Sequence, residues 1–223
     1  MSQVARGPAV LVMAKAPRAG DVKTRLAPLL GDEGCARLQA ALTRRAAGWA
    51  SEVAPGAAFV AYAPDGAIEE MLELVPPGTD LFAQEGDHLG ERLAAASTRV
   101  LSMHDGPLLV IGTDLATLSR GHAEAALDDL SNGCDVCFGP AFDGGYYLVA
   151  LARDLPDVFA LPADAWGGAE VFELSLRAAA TAGLQFGMLR AERDLDTPAD
   201  ARAALADPSF PPDIAEILRT ATT

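Results

Sequence analysis

Residues 107–114, PLLVIGTD, run apolar from Leu108 to Ile111 and then break into Gly-Thr-Asp. Successive side chains of a strand point to opposite faces. A strand with no polar residue on either face must be covered on both, as in a parallel sheet packed between helices.

The rest of the chain alternates as such a sheet requires. Strands are expected at 9–16, 57–63, 81–84, 107–114, 134–139, 145–151 and 184–189. Helices are expected at 32–53, 68–74, 88–103, 120–130 and 169–182, with a closing helix from Thr197. In 88–103, Leu89, Leu93, Ala96 and Val100 recur at helical spacing and give one apolar face. Ser119 is read as an N-cap. Thr-Pro-Ala-Asp at 197–200 supplies a cap, a proline at the first helical position and an acid in the first turn. The pattern predicts an α/β fold: a mostly parallel sheet with helices on both faces, in one domain over residues 1–223. Half of the 223 residues are hydrophobic, enough to bury a sizeable core. In such sheets ligands bind beyond the carboxyl ends of the strands.

Charge at those strand ends is divided. After the first strand, residues 13–26, MAKAPRAGDVKTRL, gather Lys15, Arg18, Lys23 and Arg25 against one acid, Asp21, in a chain whose formal net charge is −14. After the central strand comes Asp114, after the strand at 134–139 come Asp143, Gly144 and Gly145, and after the last strand come Asp194 and Asp196. Basic side chains pair with phosphate oxygens, and carboxylates hold Mg²⁺ that bridges to phosphates, so the division suits a nucleotide with its metal. The basic loop is expected to be exposed. Each piece also has a structural reading: a solvated basic cluster, an N-cap at Asp114, a turn residue at Asp143, and Asp196 flanking a capped helix. Four charged features at one end of one sheet favour the site.

The net charge argues against nucleic acid or membrane as a partner, since both reward broad basic surfaces. No apolar run approaches the roughly 20 residues of a membrane helix, and no leader-like apolar core opens the chain, so a cytoplasmic location is expected. Three cysteines do not suggest a disulfide framework. Cys134 and Cys137 form a C-x-x-C, but on a strand they would point to opposite faces, which favours apolar packing over chelation. His88, His104 and His122 share no ligand spacing and are expected at the surface or at helix caps. No G-x-S-x-G is present.

MAKAPRAGDVKTRLAPLLG, GTDLATL, GPAFDGGYYLVAL and DLDTPAD together resemble the DUF2064 family (rSAM/selenodomain-associated transferase 1), from about residue 9 to 205. That family is grouped with GT-A-type glycosyltransferases and is similar to the molybdenum-cofactor and 2-phospholactate guanylyltransferases. The resemblance implies a single-domain GT-A fold, Rossmann-like and of the nucleotide-diphospho-sugar transferase type. It implies that Lys15, Lys23 and Arg25 bind nucleoside phosphates, with Arg18 beside them. Asp114 and Asp196 would carry Mg²⁺ or Mn²⁺, and Gln84 would contact the base. Asp143, Gly144, Gly145 and Tyr146 would line the acceptor side, with Trp166 where the family often has a tryptophan. Asp114 and Asp143 would be the catalytic carboxylates, Asp143 as a candidate base. Two departures stand out: Ala116 replaces a common proline, and the nucleotidylyltransferase G-G-x-G-x-R is absent.

The expected activity is metal-dependent transfer from a nucleotide-activated donor, with glycosyl transfer from a nucleotide sugar to a small acceptor placed first. Nucleotidylyl transfer from a nucleoside triphosphate is the alternative. A non-catalytic nucleotide-binding protein on the same fold is the alternative of another class. Retention of Asp114, Asp143 and Asp196 together favours the enzyme. The oligomeric state is not expressed in the sequence.

Overall fold

A computed structural model describes residues 7–220, so residues 1–6 and 221–223 of the expected domain lie outside the described residues. Seven strands form one sheet: β1 (Ala9–Lys15), β2 (Ala58–Ala63), β3 (Asp80–Ala83), β4 (Leu108–Ile111), β5 (Val136–Pro140), β6 (Tyr146–Leu151) and β7 (Phe186–Met188). Their order is β3-β2-β1-β4-β6-β5-β7. All neighbours pair in parallel except β6, which is antiparallel to both β4 and β5. Among the described residues seven α-helices connect them: α1 (Ala27–Val53), α2 (Ile68–Leu72), α3 (Leu89–Met103), α4 (Arg120–Ser131), α5 (Val171–Thr181), α6 (Pro198–Ala206) and α7 (Pro212–Thr220).

Strand periodicity divides the core in two. From β1, Val10, Val12 and Ala14 join a cluster with α1, α2 and α4, while Ala9 and Leu11 join one with α3 and α5. The expected fold is therefore present, with helices on both faces. All four side chains of β4 are buried, as its unbroken apolar run requires.

Several boundaries differ from expectation, each for a local reason. α1 starts at Ala27 with Pro28 in its first turn and kinks at Gly31, whose φ of 64° only glycine adopts without strain. The expected closing helix is two helices, because Pro208, two residues beyond Ala206, bars continuation of the first and Pro212 opens the second. On α3, Leu93, Ala96 and Val100 are buried, but Leu89, the first helical residue, is exposed. All three histidines sit at helix ends. His88 precedes α3, His104 follows it, and His122 closes a capping box with Ser119.

The two cysteines do not share a strand, contrary to expectation. Cys134 lies in the turn ahead of β5, not on the strand, and its amide donates to Asp129 O. Cys137 is fully buried, and its Sγ donates to Asp129 Oδ2 at 3.1 Å. Burial pushes the Cys137 thiol well above its ordinary range. Cys134→Ser and Cys137→Ser should each leave the metal content of the purified protein unchanged. Stoichiometric zinc that either substitution removes, measured by mass spectrometry of the metals, would contradict this.

Candidate functional site

The chain runs from β1 outward to β2 and β3 and then returns to place β4 on the other side of β1. The crevice at the carboxyl ends of β1 and β4 is thus a topological switch point, where open α/β sheets bind ligands. Three other segments reach the same edge. The Asp143–Gly145 turn joins β5 to β6, and the start of β6 lies beside the end of β4, where Gly112 N–H donates to Tyr147 O. Residues 189–196 cross the strand ends, held by Leu189 N–H on Phe138 O, Glu192 N–H on Pro140 O and Leu195 N–H on Asp114 O. That last bond, at 2.9 Å, sets Asp194 and Asp196 beside Asp114.

An apolar cluster clips the basic loop, the segment after β4 and residues 189–196 together. Leu26, Ala116 and Leu195, one from each, are buried with Leu38 and Leu42 of α1, Ala201 of α6, and Ile214 and Leu218 of α7. Burying a leucine-sized side chain stabilises by about 1.5–3 kcal/mol, enough to fix loops that have few backbone bonds. Ala116, where a proline is common, is buried, and its carbonyl accepts from Arg45 Nε at 3.3 Å.

Lys23 lies at the centre. Its Nζ donates to Asp114 Oδ1 at 2.6 Å and to Leu195 O at 2.7 Å, with Asp196 Oδ1 at 3.9 Å. Its side chain is 3% exposed, so the expectation of an exposed loop fails at this residue. A lysine is tolerated there because a carboxylate and a carbonyl compensate its charge. Arg25 Nη1 donates to Asp196 Oδ2 at 2.7 Å while remaining largely exposed. Lys15, at the end of β1, is exposed. Arg18 turns away and pairs with Glu70 of α2 at 2.6 Å. The structure therefore brings Lys23, Arg25, Asp114 and Asp196 into one cluster and leaves Arg18 outside it.

Asp194, two residues before Asp196, joins the same crevice. Its Oδ1 is enclosed and has no hydrogen-bond partner among the described residues. Its carboxyl is pushed up to about 7, first by burial and then by the charges of Asp114 and Asp143. Spacing gives no reason to prefer it over Asp196; only the path of residues 189–196 does.

The acceptor-side residues divide. Asp143 is exposed, and its Oδ1 accepts from Gly145 N–H at 2.9 Å, closing the turn. Gly144 has φ 92°, and a Cβ there would lie 2.0 Å from Ala169 O. Tyr146 and Trp166, expected to face an acceptor, instead pack edge to face with centroids 6.4 Å apart. The Tyr146 hydroxyl and the Trp166 Nε1 are both enclosed, the indole against Gly90, so their polar atoms do not face the crevice. Gln84 uses its amide on Ala14 O and Ala61 O, at 3.1 and 2.9 Å, lacing the ends of β1 and β2.

Among the described residues no group of three or more His, Cys, Asp or Glu side chains is arranged to hold a metal ion. Asp114 and Asp196 are two hard donors, and a Mg²⁺ ion with two carboxylates completes its shell with phosphate oxygens and water. Beside them the enclosed Asp194 Oδ1 is an acceptor without a partner among the described residues, which a bound cation would satisfy. The residues fit such an ion when phosphate accompanies it.

Sheet order, switch point and clustered carboxylates define an α/β fold of the nucleotide-diphospho-sugar transferase type. Its likeness to solved structures agrees. A protein of Desulfovibrio desulfuricans G20, provisionally assigned as a nucleotide-diphospho-sugar transferase, superimposes with a TM-score of 0.84 at 26% identity over 97% of this chain and 98% of that one. A cytidylyltransferase from Leptospira borgpetersenii (TM-score 0.56, 14% identity, 96% and 94% covered) shares the fold. So does a CMP:2-keto-3-deoxy-manno-octonic acid synthetase solved with CTP (0.54, 14%, 88% and 96%). None of the curated proteins compared with the chain matches it. Residues 36–167, more than half of the chain, match the family described as "uncharacterized protein conserved in bacteria (DUF2064)", and the chain belongs to that family. The matched segment holds Gln84, Asp114, Asp143 and Trp166; the basic loop and Asp196 lie outside it. Among the described residues no helix is long and apolar enough to cross a membrane.

Proposed function

We propose that this chain is a transferase using a nucleotide-activated donor, and that it moves the glycosyl group of a nucleotide-diphospho-sugar to a small acceptor. The observation that carries the reading is the bonding of Lys23 to Asp114 and Leu195 O, with Arg25 on Asp196, at the switch point of the sheet. The Desulfovibrio protein, similar along nearly its whole length, supports a nucleotide-sugar donor.

In this reading Arg25 and Lys15, both exposed, bind the diphosphate, and Arg25 can move from Asp196 to a phosphate oxygen without losing burial. Asp114 and Asp196 would hold Mg²⁺ or Mn²⁺, which when bound offsets the charge growing on the leaving nucleoside diphosphate. Asp143, exposed on a turn fixed by its own bond to Gly145, takes the proton of the acceptor hydroxyl. Gln84, tied to two strand carbonyls, gives the base side of the crevice a fixed wall.

Nucleotidylyl transfer is the second reading. It is favoured by two fold neighbours, the Leptospira cytidylyltransferase and the CMP:2-keto-3-deoxy-manno-octonic acid synthetase solved with CTP. Thermal shift with Mg²⁺ and a panel of nucleotide sugars and nucleoside triphosphates separates the two. Glycosyl transfer predicts that a diphosphate sugar raises the melting temperature more than any triphosphate. Ligand at a hundred times its dissociation constant stabilises by about 2.7 kcal/mol, a rise of roughly 5–10 °C for a chain of this size. A larger rise with a triphosphate would shift the assignment to nucleotidylyl transfer, and no rise with any compound would end both.

A further inference from the structure

The loop that carries Lys23 does unusual work to turn it inward. Lys23 has φ 50° and ψ 33°, the one non-glycine residue with positive φ among the described residues. Such backbone is costly for a lysine and persists only where its surroundings fix it. Here the Lys23 carbonyl accepts from Leu26 N–H at 2.7 Å and from the buried Cys35 thiol at 3.2 Å. The buried side chain sets its ammonium 2.6 Å from Asp114 Oδ1 and 3.9 Å from Asp196 Oδ1. The other Asp196 oxygen is bonded to Arg25. Both carboxylates expected to hold a divalent ion therefore already face a cation supplied by the chain.

We propose that Lys23 is a built-in counter-ion that keeps divalent metal out of the nucleotide-free site, so that metal and nucleotide bind together. This rests on reading Asp114 and Asp196 as the metal-holding pair. A bare divalent ion arriving between them meets an ammonium it cannot displace into water, because Lys23 is buried and its only other anchor is the Leu195 carbonyl. A diphosphate changes the balance. It brings oxygens that accept the ammonium as Asp114 releases it, and its charge offsets that of the ion. Metal affinity is thereby made conditional on phosphate, which protects the site from occupation by free metal and orders the binding.

The test measures Mn²⁺ alone, in the nucleotide-free protein, by the loss of the free-ion electron paramagnetic resonance signal. Lys23→Met, close in length and uncharged, should bind bare Mn²⁺ at least tenfold more tightly than the wild type. Adding Asp114→Asn to it should remove the gain. Lys23→Gln, which can still donate to Leu195 O, repeats the comparison if the methionine variant does not fold by circular dichroism. A folded Lys23→Met or Lys23→Gln variant that binds bare Mn²⁺ no more tightly than the wild type overturns the proposal. The two readings fail separately. A gain in Mn²⁺ affinity with no nucleotide binding to the wild type would uphold the counter-ion and sink the transferase. Nucleotide binding without that gain would do the reverse.

Discussion

Asp114→Asn is expected to lower both stability and activity. Charge repulsion among carboxylates alone would predict the opposite for stability: removing one of several crowded acids should relax the protein. The structure reverses that expectation, because Asp114 accepts a 2.6 Å bond from an ammonium that is 3% exposed. Taking away its charge leaves Lys23 with a carbonyl and a distant carboxylate. Hydrogen bonds to charged groups contribute about 1.5–3 kcal/mol, and Asp114 is itself half-exposed, so a loss of about 1–2 kcal/mol is expected. For a chain of this size that is a fall in melting temperature of about 2–8 °C. Transferase activity should drop by at least about a hundredfold, and the Mg²⁺ dependence of nucleotide binding should disappear. Asp196→Asn should act alike, and the double variant should cost little more in activity than either change alone, since both serve one ion. Calorimetry with and without Mg²⁺ reads the outcome. Additive losses in the cycle would show two separate roles, and a stabilised Asp114→Asn would show that Lys23 does not depend on it.

Gly144→Ala is expected to have the largest effect of any single methyl group added near the site. A Cβ at Gly144 would stand 2.0 Å from Ala169 O and 2.5 Å from Ala169 C, and φ is 92°. Neither neighbour is a flexible side-chain tip. The turn at 143–145 and the chain at 169 must separate, although Phe172 N–H on Gly144 O joins them at 2.9 Å. Destabilisation of roughly 2–4 kcal/mol follows from strain and clash together. Because Asp143 rides on that turn, the KM for the acceptor should rise while nucleotide affinity changes little. Gly56→Ala is the control: φ there is 77°, but nothing lies within 4 Å of the added carbon. It should cost only the roughly 1–2 kcal/mol of a left-handed alanine. Equal losses at the two glycines would refute the clash.

The sheet was legible because each strand announces itself locally. Every one of the seven expected strands overlaps an observed one, and β4 was the clearest since four buried residues in a row leave no other reading. Boundaries were less legible where one residue works against its neighbours. Gly31 hides the first turn of α1 because a glycine in left-handed backbone looks like a stop, and the helix resumes beyond it. The site was half legible. Charge at strand ends located it, since the topology makes all carboxyl ends of the parallel strands neighbours. Which cation would be buried was not legible. Lys23 and Arg25 are two residues apart in one basic run, yet one is enclosed and the other open to solvent. The difference arises from Leu195 and Asp114, 172 and 91 residues away, and no local pattern encodes it. The packing of Tyr146 on Trp166 was not legible for a related reason: an aromatic beside a glycine pair suits an acceptor surface and a packed edge equally well in sequence.

The bonds that meet at Lys23 also fix when in folding the crevice can come into being. Closing a loop of 172 residues is among the slowest contacts a chain of this length can make, and such contacts follow the local ones. A nascent chain halted before Leu195 holds Lys23 and Asp114 without the carbonyl and the second carboxylate that share the ammonium. The crevice is complete only once residues 189–196 have docked, so ligand capture during refolding would time that docking across the sheet.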